Sequence, residues 1–307
     1  MNALLLSLIS ASVFAIEGFG EERAIFQQTF LGDLKTARIE FTLNPEFNLI
    51  SEEKKFRCLF WTNPFYLSLK VPVYKGLSLS LGNLERFNQV YDIYSERELL
   101  KIYTKSRGGI EEVYLQVNQW LNFTEIFYRG SFLFGSSFEV WNYTIGDYTI
   151  ADTFSYKYKG QIYSAGLKVL FLTVYYEGLG SIDMERSSGD TTYKLAQVIG
   201  FGLEKDVNTW DYSLSLEHSV WIDRNINRIR LMVEKDIYSF SYNYNPWYLK
   251  EIKEHRIGLG MGIPFKNLGK ISFDFNGAIR TKGNLWEFVI SPQLRLTLEE
   301  IFSRRKK

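Results

Sequence analysis

Apolar and polar side chains alternate with a period of two in segment after segment of this chain. Ile271, Phe273, Phe275, Gly277 and Ile279 interleave with Ser272, Asp274, Asn276, Ala278 and Arg280. In a strand the two sets project from opposite faces. The same pattern sets Trp286, Phe288, Ile290, Leu294, Leu296 and Leu298 against Glu287, Ser291, Gln293, Arg295 and Thr297. It recurs at Tyr212–Leu216, Ile229–Val233, Tyr238–Tyr244, Ile257–Ile263 and Val113–Val117. From Gly109 onward the alternation predicts eleven strands, at about 109–120, 125–144, 154–169, 171–183, 193–206, 209–222, 227–235, 237–245, 254–264, 270–280 and 285–298. The N-terminal third adds three or four among 37–44, 55–62, 65–73 and 77–94, with 98–106 as an extension; Asn63-Pro64 and Pro72 blur the boundaries there.

A soluble β-sandwich also alternates. Three features favour a membrane. Many segments reach the roughly 9–11 tilted residues that cross a bilayer. One face is apolar along its whole length in almost every segment, and aromatics such as Tyr128, Tyr143, Tyr212, Trp247 and Trp286 sit toward segment ends, where interfacial girdles form. The expected fold is all-β: a transmembrane antiparallel up-and-down β-barrel. Single-chain bacterial barrels close with an even strand number. Fourteen is the expected count, with twelve and sixteen open. No apolar run approaches the roughly 18 residues of a transmembrane helix.

Aromatic residues make up 17% of the 307 residues, a composition that suits strands. Lys+Arg number 36 against 35 Asp+Glu, so no charge excess points to nucleic acid. The single cysteine, Cys58, excludes an intrachain disulfide and reads as a small apolar residue between Phe56 and Phe60. Met1–Ala15 reads as an export signal: a short apolar core, then Val13 and Ala15 at the positions a signal peptidase requires to be small. Residues 16–36 are expected to form a loose tail or a short plug, 37–298 the barrel, and 299–307 a basic tail. The expected location is the outer membrane. The expected partners are its lipid and the barrel assembly machinery, which would read Leu294-Leu296-Leu298 or Phe302. With Leu298 on the periplasmic side, the long connections at about 145–153, 184–192 and 246–254 fall outside.

No motif supports an enzyme or a cofactor. His218 and His255, the only histidines, lack convergent partners for catalysis or metal binding. Gly258-x-Gly260-x-Gly262 lies inside a strand with no following helix to hold phosphate, and reads instead as room for large lumen neighbours. Asn122-Phe-Thr124 and Asn142-Tyr-Thr144 match a glycosylation sequon that a bacterial barrel does not normally use. The inward faces between 211 and 297 carry Asp211, Glu217, Arg228, Arg230, Glu234, Arg256, Asp274, Arg280, Glu287 and Arg295. All the bases are Arg and none is Lys. The planar guanidinium fits a partly buried carboxylate bidentately. These ten residues are therefore expected to form a structural ion-pair network filling the lumen.

Arg107-Gly108-Gly109-Ile110 precedes one strand, Tyr128-Arg129-Gly130-Ser131-Phe132-Leu133-Phe134-Gly135 opens the next, and Tyr158-Lys159-Gly160 leads into Gly166-Leu167-Lys168. This arrangement resembles the long-chain fatty acid transporter (FadL-type) outer-membrane family and its shorter relatives. The resemblance implies fourteen strands, an N-terminal hatch and passive passage of small hydrophobic molecules. The Asn-Pro-Ala motif of that hatch has only the echo Asn44-Pro45-Glu46 here. The other reading of a filled lumen is a non-transporting barrel that anchors or scaffolds the envelope.

Overall fold

A computed structural model describes residues 18–19, 21–23, 30–52, 55–62, 66–97, 99–186, 189–207, 209–221, 224–249, 251–265 and 268–300. The expected export signal (1–15) and residues 301–307 of the expected basic tail lie outside the described residues, as do Ser187, Ser188 and the side chain of Cys58.

The chain forms a closed barrel of fourteen antiparallel strands, and no helix occurs among the described residues. In chain order these are β1 (Ala37–Leu43 and Pro45–Glu52), β2 (Lys55–Thr62 and Tyr66–Tyr74), β3 (Leu77–Asn88 and Tyr91–Arg97), β4 (Leu100–Leu121) and β5 (Thr124–Ile145). They continue as β6 (Tyr148–Val169), β7 (Leu172–Arg186), β8 (Thr191–Lys194 and Gln197–Val207), β9 (Trp210–Trp221) and β10 (Arg224–Lys235). The last four are β11 (Tyr238–Pro246), β12 (Lys253–Phe265), β13 (Gly269–Lys282) and β14 (Leu285–Glu300). β14 closes the ring against β1, with Leu298 opposite Ile39 and Phe288 opposite Leu49. The lower rim holds the start of β1 and the end of β14; the upper rim holds the turns after β5 and β13.

The period-two pattern sorts the side chains as expected. Leu115, Phe132, Phe201, Leu259, Phe273 and Phe275 point outward and are exposed. In lipid these would be covered, at about 25 cal/mol per Å² of apolar surface removed from water. The glycines of β12 face inward against crowded neighbours. A Cβ on Gly260 would sit 2.2 Å from Asp274 Oδ1 and from Ser239 Oγ.

Three expectations at element ends are corrected. No long connection spans 145–153: β5 and β6 run straight through to a two-residue turn, Gly146–Asp147, with Gly146 at φ +59°. Tyr148–Thr153 pair in register with Ile145–Val140, and these cross-strand pairs carry the ladder beyond where alternation weakens. Pro45–Glu52 is a strand, because Asn44-Pro45 interrupts β1 without ending its pairing to β14. Glu299 and Glu300 belong to β14, and Glu299 pairs with Arg38 at 2.8 Å.

One region breaks the barrel rule. β2 and β3 pair from Tyr74–Leu77 up to Ser68–Gly82, and among the described residues no pairing joins Lys55–Thr62 to β3. Just above, β3 has a bulge. Glu85 faces Glu111, Phe87 faces Ile110, and Arg86 is the extra residue. From Leu84 to Tyr91 every residue is buried, so neither face of the strand meets lipid or solvent there. β3 has therefore left the wall and entered the lumen. Glycine permits the turn inward on the β4 side: a Cβ on Gly109 would lie 2.4 Å from the Phe87 carbonyl oxygen.

With the lower rim in the periplasm, the turns after β5 and β13 face outside. In a Cys58→Ser background, Asp147→Cys and Asn284→Cys should react with a membrane-impermeant thiol reagent on whole cells. Phe123→Cys, in the turn after β4, should not. Labelling at 123 with protection at 147 and 284 would mean that the barrel is inverted.

Candidate functional site: a plugged lumen beside an opening in the wall

The N-terminal segment enters the barrel. Glu21 and Glu22 pair as a short strand with Asn88 and Phe87, on the edge that β2 leaves unpaired, and Arg23 N donates to the Arg86 carbonyl at 3.0 Å. A polar backbone edge buried without partners would be costly. The plug strand supplies those partners.

Its side chains then anchor an ion-pair belt across the lumen. Arg280 is fully buried and spends its three nitrogens on three carboxylates: Nη1 on Glu287 at 3.1 Å, Nε on Glu254 at 2.6 Å, and Nη2 on Glu21. Arg23 grips Glu46 through both terminal nitrogens, Nη2 to Oε2 at 2.7 Å, and reaches Glu21 at 2.8 Å. Arg228 donates to Glu22 and stands 3.8 Å from Glu217, which also accepts from the Tyr175 hydroxyl. Arg86 holds Glu177 and Glu112, and Arg129 donates to Glu112 at 2.6 Å while lying over the Tyr114 ring at 3.8 Å. The lysine bridges of the described residues sit at more open sites, as at Lys70–Glu40 and Lys159–Glu185.

Charge in this belt is not evenly matched. Glu21 lies beside Arg23 and Arg280 but also beside Glu46 and Glu254, and burial pushes its carboxyl up to about 8 against the pull of the two arginines. Burial also opposes the Arg23 guanidinium, yet Glu21 and Glu46 hold it well above its ordinary value. At Arg23 the charged form wins, because Glu21 and Glu46 are both within direct reach.

Of the ten residues that alternation placed on the inner face, the structure brings together Arg280 with Glu287 and Arg228 with Glu217; Arg256 turns to Glu254 at 3.2 Å. It does not bring Asp211, Glu234, Asp274, Arg230 or Arg295 into an ion pair with a described residue. Asp211 is exposed near the lower rim, and Arg230 and Arg295 line a cavity instead. The residues missed were those of the plug (Glu21, Glu22, Arg23) and those of β1, β3, β4, β5, β7 and β12 (Glu46, Arg86, Glu112, Arg129, Glu177, Glu254). The one signal available was the charged run Glu21-Glu22-Arg23 between apolar neighbours. His218 contacts Asn227 at 2.7 Å and His255 contacts Tyr242 at 2.9 Å, so the two histidines are not brought together.

The lumen differs above and below the belt. Above it, Phe19 of the plug packs with Phe87, Ile110, Leu133, Tyr158, Ile162, Ile182 and Met184. Phe19 meets Tyr193 edge-on at 5.3 Å, and Trp221 stacks on Tyr248 at 4.4 Å. Below it lies a cavity of about 570 Å³ with mostly polar walls. Glu85 lines this cavity and also a groove of about 710 Å³ bordered by the outward rings of Phe132 and Phe134. The stretch of β3 that leaves the wall therefore separates inside from outside by one residue's thickness.

No family profile matches the chain, and no curated protein matches it in sequence. Solved structures do share its architecture. The toluene transporter TodX of Pseudomonas putida superposes with a TM-score of 0.61 at 10% identity, covering 94% of this chain and 96% of TodX. The toluene transporter TbuX of Ralstonia pickettii gives 0.57 at 8% identity, covering 87% and 90%. Both are FadL-type outer-membrane barrels, and the chain has their fold.

Arg280 should dominate the stability of the belt. Arg280→Ala withdraws one shared cation from three buried acidic side chains, Glu21, Glu254 and Glu287, and should cost about 3–5 kcal/mol in urea unfolding from lipid. Arg230→Ala removes a guanidinium that holds no ion pair and should cost about 1 kcal/mol or less. Equal costs for the two variants would contradict the arrangement.

Proposed function

We propose that this protein sits in the outer membrane and lets small hydrophobic molecules pass from outside into the lipid through the wall between β2 and β3. The observation that carries the reading is the join of two features: an aromatic upper lumen, and directly beside it a place where β2 and β3 stop pairing. A hydrophobic solute gains by leaving water for the rings around Phe19 and Phe87. The ion-pair belt blocks the straight path, since desolvating the solute's route through charged groups offers it nothing. A sideways exit past Glu85 toward Phe132 and Phe134 keeps it in apolar surroundings.

TodX and TbuX are toluene transporters. Shared architecture supports the same solute class here, a small aromatic hydrocarbon. The scaffold reading rested on a filled lumen, and the break in the wall removes its basis, because a closed centre does not close the side.

The test is uptake of labelled toluene by cells that produce the barrel. Uptake should exceed that of cells lacking it. Phe19→Arg, which puts a charge among the rings, should return uptake to background. Arg256→Gln, in the polar cavity below the belt, should leave it unchanged. Background uptake with the unaltered protein, or a loss confined to Arg256→Gln, would overturn the reading.

A further inference from the structure

The cavity below the belt has a chemistry that a hydrocarbon route does not use. Arg230 on β10 and Arg295 on β14 both line it. The two strands are four apart, or roughly 19 Å along the wall at about 4.8 Å per strand. Long side chains span most of that, and the two guanidiniums lie within electrostatic reach of each other. Two cations facing one cavity repel unless an anion sits between them.

The carboxylates that line the cavity are engaged elsewhere: Glu21 and Glu22 hold Arg280 and Arg228, and Glu85 accepts from Asn88. Glu40 accepts from Lys70 at 2.7 Å and from Ser68 at 3.2 Å. Glu217 serves Arg228 and Tyr175. Glu254 serves Arg256 and Arg280. Glu234 and Asp274 make no ion pair with a described residue, and neither lines the cavity; Glu217 and Glu234 act on Arg230 from farther away, each less than Arg295 does. Arg230 has one hydrogen-bond contact, to Met232 Sδ at 3.8 Å, and its Nε is buried without a partner.

A second observation narrows the anion. Asn243, in register opposite Arg230, and Asn245, 4% exposed, both line the cavity, and each has a buried Oδ1 with no partner. Those oxygens need a donor. Sulfate and carboxylates offer guanidinium acceptors but no donor near neutral pH. Inorganic phosphate, which keeps at least one proton near neutral pH, offers both: oxygens for the two guanidiniums and a P–OH for an asparagine; a phosphomonoester, whose last proton leaves at about pH 6, does not.

We propose that Arg230, Arg295 and Asn243 form a binding site for inorganic phosphate in the lower half of the lumen. The belt lies between this site and the aromatic upper lumen.

Calorimetric titration of the full barrel in a non-ionic detergent tests this with inorganic phosphate, glycerol phosphate, sulfate and acetate as probes. Phosphate should bind saturably, and sulfate and acetate at least about tenfold more weakly. Arg230→Gln and Arg295→Gln, each removing a cation that holds no ion pair, should each weaken phosphate by at least about tenfold. Asn243→Leu should narrow the preference for phosphate over sulfate. Glycerol phosphate, which carries no P–OH near neutral pH, should bind at least about tenfold more weakly than phosphate; equally tight binding would contradict the asparagine's role. All variants should keep the heat-modifiable gel migration of a folded barrel. No saturable binding of phosphate, or unchanged affinity in both arginine variants, would overturn the proposal.

Discussion

A strand in a membrane barrel has to hydrogen-bond along both edges, because lipid offers its backbone no partner. Here β3 gives up that requirement above Gly82, and much of the rest of the molecule answers to it. The strand turns inward at the Arg86 bulge, where burial on both faces replaces lipid contact. The abandoned edge is taken by Glu21 and Glu22 of the plug. Placing two carboxylates and an arginine in the lumen then calls for counter-charges, and Arg228, Arg280 and Glu46 provide them. Wall opening, plug and ion-pair belt are thus one structural decision, taken at Leu84.

The belt places buried, mutually paired charges across the lumen. It also divides the lumen into two chemical regions. The upper region has aromatic walls and adjoins the opening. The lower region is polar and carries arginines outside the belt's pairing. Breaking a buried pair costs far more than the pair contributes net, so the belt holds the plug in one arrangement more than it stabilises the fold.

Much of the architecture was legible in the sequence. Lipid outside and side chains inside force strict alternation, so Ile271–Arg280 and Trp286–Leu298 could be read directly. The same alternation located Arg280 and Glu287 on one face, and a hairpin register then made them neighbours. Three things were not legible. Alternation disappears where a strand is buried on both faces, so Leu84–Tyr91 carried no sign of leaving the wall. Asn44-Pro45 looks like a break, although β1 pairs with β14 on both sides of it. The partners of Arg280 and Arg228 come from a segment more than 200 residues away, and no local pattern links Glu21 and Glu22 to them. The same long-range placement left Arg230 and Arg295 outside the belt, though their spacing is indistinguishable from that of Arg228.

The central claim is that hydrophobic solutes leave sideways while the plug stays in place. Glu22 and Phe87 face each other in an antiparallel pair, a separation of about 4.5–5.5 Å between Cα atoms that a disulfide can bridge. In a Cys58→Ser background, Glu22→Cys with Phe87→Cys would lock the plug to β3. The measurement is toluene uptake by cells carrying this barrel, oxidised and then reduced. The account predicts the same uptake in both states. Uptake that is lost on oxidation and restored by a reductant would mean that the plug must leave and that the path runs along the barrel axis.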